Sequence, residues 1–167
     1  IICFFVTVSN IFFEIGSGNS TKFAAAAKNA HSPQTILISI DPAPRAEIDQ
    51  ICDTCIRAPL QECSLSNFLN LRSGDVLFID GSHRVLQGSD VSIFFLEVLP
   101  VLNPGVIVHL HDIYWPFDYP IQWAKRMYSE QYILGSLLLF AEEKIEVILP
   151  NAYISVHQHL VSIFSDI

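Results

Sequence analysis

The chain has 167 residues, the size of one domain with its own hydrophobic core. Seventeen acidic residues against nine lysines and arginines give a net charge of −8, the wrong sign for binding the phosphates of nucleic acid or an anionic membrane surface. Apolar residues make up 51% of the sequence and charged residues only 16%, which favours buried strands or an apolar surface used for association.

Short apolar runs rich in β-branched residues predict strands buried in a parallel sheet. In chain order they are residues 11–15, 35–40, 75–80, 105–110 and 144–149. Helices are predicted between and after them, at residues 21–31, 46–55, 64–71, 89–102 and 120–140. A further strand near residues 55–60 would be interrupted by Pro59. The alternation predicts one α/β domain with its core at about 11–150: a doubly wound, mainly parallel sheet with helices on both faces.

Polar or glycine-rich residues follow four of the predicted strands, at residues 16–20, at Asp41, at residues 80–83 and at residues 109–120. In an open parallel sheet, ligands bind at the carboxyl ends of the strands, where the strand order reverses. We therefore expect the functional site at this edge of the sheet.

The first of these segments is a glycine loop, and it predicts a nucleoside site. Gly16 and Gly18 allow a sharp turn and a close approach of backbone to ligand, and Asp41 after the next strand could accept hydrogen bonds from both hydroxyls of a ribose. The third glycine of the dinucleotide motif is replaced by Thr21, which disfavours a pyrophosphate and hence a nicotinamide-dependent oxidoreductase. A turn made only for packing, with a solvated Asp41, is the alternative.

Four segments resemble class I S-adenosylmethionine-dependent methyltransferases, and most closely the branch called methyltransferase domain 24: EIGSGNSTKFAA, ISIDP, GDVLFIDGSH and LPVLNPGVIVHLHDI. The resemblance extends from about residue 12 to residue 153. It implies a Rossmann-like methyltransferase fold with S-adenosylmethionine as the cofactor. The cofactor-binding residues expected on this basis are Glu14, Gly16, Ser17, Gly18, Asn19, Ser20, Asp41 and Asp80.

Both ends of the chain depart from this family. Residues 1–10 stand where the family has helices that help to cover the cofactor, so a substrate lid is expected to be missing. The family closes its sheet with an antiparallel strand, whereas residues 152–167 favour a helix here. We therefore expect the closing strand to be absent.

Asp80, His111 and Asp112 follow two strands that would be neighbours, so we expect one cluster at the methyl-transfer end of the cleft. In metal-dependent relatives carboxylates at such positions hold a divalent metal, and an imidazole ligand would suit manganese, iron or zinc better than magnesium. Asp80, His83 and His111 are the predicted catalytic residues, with His83 as a general base. The alternatives are structural: Asp80 and Asp112 as turn caps, and His83 as a backbone hydrogen-bonding residue.

Cysteines and aromatic residues give less specific signals. Cys3, Cys52, Cys55 and Cys63 show no disulfide pattern, which suits a reducing, cytoplasmic compartment, and the isolated CDTC segment has no second pair for a zinc site. Tyr114, Trp115, Phe117 and Tyr119 predict either an aromatic pocket mouth for a ring or sugar, or a buried hydrophobic loop.

The predicted function is O-methylation of a small hydroxylated metabolite or sugar. The alternative is a non-catalytic S-adenosylmethionine-binding or assembly domain, favoured by the apolar composition and the departures at both ends. The expected partners are a small-molecule acceptor and a second copy of the chain, with no nucleic acid and no membrane.

Overall fold

The computed structural model describes residues 9–164, and their centre is a five-stranded parallel sheet. The strands are β1 (Ile11–Ile15), β2 (Ile36–Ile40), β3 (Thr54–Ile56), β4 (Val76–Ile79) and β5 (Ile107–Leu110). Their order is β3-β2-β1-β4-β5, and every neighbouring pair is parallel. The chain moves outward in one direction from β1 to β3 and in the other from β4 to β5. The predicted Rossmann-like class is confirmed, and the strand order reverses between β1 and β4.

Helices cover both faces of this sheet. Helix α1 (Asn19–His31) packs its buried alanines, Ala24, Ala25 and Ala27, in one cluster with Phe12 and neighbouring strand residues. Alanine has the highest helix propensity, and its small side chain lets the helix axis lie close to the strands. On the opposite face, Phe13 contacts Phe68 of α2 (Ser66–Leu69), with ring centroids 5.1 Å apart.

Two predicted elements are wrong. Residues 46–55 form turns and the start of β3 instead of a helix. The reason is that Asp53 pairs with Leu37 of β2: the N–H of Asp53 donates to Leu37 O, and the carboxylate of Asp53 accepts from Leu37 N. This pairing draws the segment onto the edge of β2. Residues 144–149 contain no strand, and their apolar side chains Val147 and Ile148 are exposed.

The remaining helices agree with the predicted segments in part. Residues 90–101 are continuously helical, from α3 (Asp90–Ile93) through a π-helical turn (Phe94–Val98) to a 3-10 turn (Leu99–Val101). The predicted helix at 120–140 is divided into a 3-10 helix (Ile121–Arg126) and α4 (Glu130–Phe140), because Met127 adopts a left-handed conformation with φ 55°.

After α4 come a 3-10 turn (Glu142–Lys144), α5 (Asn151–Ser155), α6 (Gln158–Val161) and a 3-10 turn (Ser162–Phe164). A helical turn also precedes α2, at Leu60–Glu62. As predicted, no antiparallel strand closes the sheet within residues 9–164. The predicted absence of a lid concerns residues 1–10, of which 1–8 lie outside the described residues.

The chain forms two compact units. The sheet unit contains the described residues up to Ser82 together with Leu86–His111, and the C-terminal unit contains His83–Val85 and the residues from Asp112 onward. All five strands belong to the sheet unit. None of the helices in the described part of the chain is long and apolar enough to cross a membrane.

Candidate functional site

A cleft of about 330 Å³ lies at the carboxyl ends of the strands in the sheet unit. This volume falls at the lower end of the range for small-molecule sites, about 300 to 1,000 Å³. Its lining residues are Ile15, Gly16, Ser17, Ile40, Asp41, Pro42, Ala43, Arg45, Pro59, Leu60, Gln61, Asp80, Gly81, Ser82 and Asp90. The cleft therefore occupies the edge of the sheet that the sequence predicts.

The turn after β1 requires glycine at its first position. Gly16 has a φ of 81°, and a Cβ atom there would lie 2.0 Å from the carbonyl oxygen of Asp80. The N–H of Gly16 donates to Ile40 O, and the N–H of Asp80 donates to Ile15 O. The loops after β1 and β4 are therefore in direct contact, without room for a side chain between them.

Asp41 is hydrogen-bonded to this glycine loop. Its Oδ2 accepts from the backbone N–H of Ser17 at 2.7 Å and from the Ser17 hydroxyl at 3.0 Å, and its Oδ1 accepts from Ala43 N at 2.8 Å. Arg57 donates to the carbonyl of Asp41 from the end of β3, at 3.1 Å. Asp41 and the glycine loop thus share one wall of the cleft.

Glu14 lies beneath the glycine loop and does not line the cleft, although the resemblance implied that it binds the cofactor. Its side chain is only 1% exposed and accepts hydrogen bonds from the hydroxyls of Ser20 and Thr21. Burial raises the pKa of Glu14 to about 7, even though these hydrogen bonds favour the ionised form. Glu14 therefore connects the end of β1 to the first turn of α1.

The other predicted cofactor-binding residues divide into two groups. Gly16, Ser17, Asp41 and Asp80 line the cleft, whereas Gly18, Asn19 and Ser20 do not. Gly18 is the N-cap residue before α1, and its N–H donates to Thr21 Oγ1 at 3.0 Å. Sequence reasoning missed Arg45, Gln61 and Asp90, which line the cleft but lie outside every recognised motif.

Asp80 and His111 are brought together at the carboxyl ends of β4 and β5. The Oδ1 atom of Asp80 lies 3.7 Å from Nδ1 of His111, and the two side chains are 24% and 45% exposed. The neighbouring His109 stacks on Phe78, with ring centroids 4.6 Å apart. Burial, together with His111, lowers the pKa of His109 to about 4, so this ring is neutral at physiological pH.

The predicted metal cluster finds no support. Residues 9–164 contain no group of three or more histidine, cysteine, aspartate or glutamate side chains that could hold a metal ion. Asp112 adopts a left-handed backbone conformation with φ 56°, and its carboxylate lies 3.8 Å from Nε2 of His83 within the C-terminal unit. Asp80 and His111 thus form a pair of side chains in the sheet unit, not a set of three ligands.

His83 is buried in the C-terminal unit, with 2% of its side chain exposed. Its Nδ1 contacts the carboxylate of Glu130, and its carbonyl accepts from Ser129 N at 2.8 Å and from Glu130 N at 3.3 Å. Both the ring and the carbonyl of His83 thus contact the start of α4. Glu130 lies at the start of α4.

The aromatic residues after β5 pack against one another in the C-terminal unit. Tyr114 and Tyr119 surround Trp123, with ring centroids 5.3 and 6.4 Å away, and the guanidinium of Arg126 lies 4.0 Å from the Trp123 ring. Gln131 is fully buried, and its side chain hydrogen-bonds the backbone of the aromatic segment at Tyr114 N and Phe117 O. Tyr114, Trp115 and Tyr119 are half-buried and Phe117 is exposed, so the segment is not the buried hydrophobic loop of the alternative.

Cys52, Cys55 and Cys63 are free thiols. Burial and the nearby thiol of Cys55 raise the pKa of Cys52 to about 12, so this thiol remains protonated at physiological pH. Cys3 lies outside the described residues.

A parallel sheet with a glycine loop after its first strand and a carboxylate after its second has the arrangement of a Rossmann-like fold. The sequence profile of a family described as a methyltransferase domain matches residues 13–113, more than half of the chain and all of the cleft. The chain therefore belongs to this family of methyltransferase domains, as the resemblance in its motifs indicated. Neither the curated proteins nor the solved structures give a significant match.

Proposed function

We propose that the sheet unit is an S-adenosylmethionine-dependent O-methyltransferase that acts on a small hydroxylated metabolite or sugar. The observation that carries this proposal is the position of Asp41, which is hydrogen-bonded to Ser17 of the glycine loop and lines the same cleft. A carboxylate offers about four acceptor sites, and the Ser17 N–H, the Ser17 hydroxyl and the Ala43 N–H occupy three of them here. Asp41 can therefore accept one ribose hydroxyl directly, and a second one when the Ser17 hydroxyl turns away. The family match supports the methyl-transfer chemistry.

The residues of the cleft fit a nucleoside better than a dinucleotide. Gly16 and Ser17 offer a bare backbone surface beside Asp41, and Leu60 provides an apolar contact for a base. Acidic side chains outnumber basic ones in the lining, with Asp41, Asp80 and Asp90 against Arg45. This balance suits a cationic sulfonium cofactor and disfavours a pyrophosphate.

The bound cofactor would supply an electrophilic methyl group. The protein must then hold the acceptor hydroxyl and remove its proton. We assign the proton-accepting role to His111, which does not itself line the cleft but whose Nδ1 lies 3.7 Å from Oδ1 of the lining residue Asp80. His83 is the weaker candidate for this role, since its ring is 2% exposed and already contacts Glu130.

Binding and turnover test the proposal separately. Calorimetric titration should show S-adenosylhomocysteine binding and no comparable binding of NAD. Turnover would then be measured by transfer of labelled methyl groups to a panel of phenols, catechols and sugars. Tighter binding of NAD would refute the assignment of the cleft.

Binding of S-adenosylhomocysteine without turnover would instead favour the non-catalytic domain. That alternative draws support from the apolar side chains that α4 exposes near its end, since Leu139 is 71% and Phe140 is 83% exposed. We further propose that the chain self-associates through this region and works in the reducing environment of the cytoplasm.

A further inference from the structure

Two loops of the cleft are each held by an aspartate that accepts two hydrogen bonds from one serine. After β1, Asp41 accepts hydrogen bonds from both the N–H and the hydroxyl of Ser17. After β4, Asp90 accepts from both the N–H and the hydroxyl of Ser82, at 2.7 and 2.5 Å. In each case the serine follows a glycine, and all four side chains line the cleft.

We infer that Asp90 is a positioning residue for the cofactor cleft, and that it acts through Ser82 on the loop after β4. This inference rests on the proposed function for its effect on the cofactor. The geometry of the pair is independent of that function.

Asp90 is well placed to fix the loop because it belongs to a helix. It is the first residue of α3, which continues as a helical run to Val101, and Ser89 caps this helix by accepting from Ser92 N. The loop at Gly81 lies so close that a Cβ atom there would be 2.1 Å from Oδ2 of Asp90. A hydrogen bond to an anchored carboxylate is stronger than one between neutral groups.

The effect of Asp90 extends to the glycine loop through a backbone contact. The carbonyl of Asp80 fills the space where a side chain of Gly16 would lie. Movement of residues 80–82 would therefore displace Gly16 and, with it, Ser17. The two aspartate–serine pairs consequently hold the two loops as one unit.

This inference makes a prediction for a double-mutant cycle. Asp90→Ala and Ser82→Ala should each weaken S-adenosylhomocysteine binding, Asp90→Ala by about tenfold, and the double variant should bind no more weakly than Asp90→Ala. Asp90→Asn keeps one acceptor oxygen and should restore part of the affinity. Glu97→Ala removes an exposed carboxylate from the same helical run and should leave binding unchanged.

A second measurement needs no ligand. Hydrogen exchange at the Gly16 and Ser17 amides should accelerate by about tenfold in Asp90→Ala, although neither amide contacts Asp90. Should Asp90→Ala not fold, Ser82→Ala and Asp90→Asn provide the same comparison. The inference would be overturned if a folded variant showed unchanged hydrogen exchange at Gly16 and Ser17. It would also be overturned if the wild type bound S-adenosylhomocysteine and the variant bound it with the same affinity. If the wild-type protein does not bind S-adenosylhomocysteine, the proposed function fails and the exchange result still decides the role of Asp90.

Discussion

Asp41 accepts two hydrogen bonds from Ser17 through a single carboxylate oxygen, one from the backbone N–H and one from the hydroxyl. The carboxylate at the end of β2 is thereby fixed against the turn that follows β1. The adjacent strands make this contact possible, because Ile15 and Ile40 are register partners one residue before each loop. The cleft thus places a fixed acceptor group beside the backbone of the glycine loop.

Asp41→Ala should weaken S-adenosylhomocysteine binding by about 1 to 3 kcal/mol, the usual cost of removing a charged hydrogen-bonding partner. Isothermal titration calorimetry gives this value directly. Glu97→Ala serves as the control, since Glu97 is exposed and does not line the cleft. If Asp41→Ala and the wild type bound S-adenosylhomocysteine with equal affinity, Asp41 would not be part of the binding site.

The buried carboxyl group of Glu14 should make stability depend on pH. Its pKa rises from 4.5 to about 7 on folding, so the folded protein holds this proton more tightly than the unfolded chain. The contribution of Glu14 to the free energy of unfolding is complete below pH 4.5 and is lost as pH rises through about 7. At about 1.4 kcal/mol per pH unit the loss is about 3 kcal/mol.

Urea denaturation at a series of pH values measures this loss. Glu14→Gln should remove most of the dependence between pH 4.5 and 7, whereas Glu47→Gln, at an exposed site, should retain it. A wild-type stability that is constant over this interval would contradict the assignment.

His111→Ala and Asp80→Asn should lower kcat for methyl transfer, His111→Ala by about 10²- to 10⁴-fold, because general base catalysis contributes on this scale. The affinity for the cofactor should change less than kcat in His111→Ala. Steady-state kinetics separates the two effects, and His159→Ala is the control for removal of an exposed histidine. Full activity of His111→Ala would show that another residue acts as the general base.

Glu130→Ala should destabilise the C-terminal unit by about 1 to 3 kcal/mol, since it removes the carboxylate that contacts the buried ring of His83. Chemical denaturation measures the change, and exposed Glu143→Ala is the matched control. A double-mutant cycle with His83→Ala should give a coupling free energy of more than about 0.5 kcal/mol. Additive effects of the two variants would show that the contact contributes nothing.

Light scattering should show a dimer in solution, and Phe140→Glu should shift it toward the monomer by placing a charge on an exposed apolar surface. Phe23→Glu is the matched control, because Phe23 is also exposed but lies on α1 of the sheet unit. A monodisperse wild-type monomer at high concentration would refute self-association. The apolar ends of the sequence predict that this contact involves the terminal segments, of which residues 1–8 and 165–167 lie outside the described residues.

Much of the sheet could be predicted from the sequence, because its signals are local. The apolar runs at residues 11–15 and 75–80 coincide with β1 and β4 to within one residue. Asp41 and the glycine loop could be assigned to one cleft because parallel strands place their carboxyl ends at the same edge. The run at residues 144–149 failed as a strand, since apolarity alone does not supply a neighbour with which to pair.

The sequence by itself determined the class of fold, the family and the loops that form the cleft, because these depend on periodicity and on motifs of adjacent residues. Only the tertiary structure decided which side chains meet across loops: Asp90 with Ser82, Asp80 with His111, and Glu130 with His83. It also decided that Asp112 contacts His83 rather than completing a metal site. The physical reason is that such contacts join residues up to 47 positions apart in the sequence. They depend on the strand order and on the backbone conformation of single residues, and no local sequence pattern encodes either.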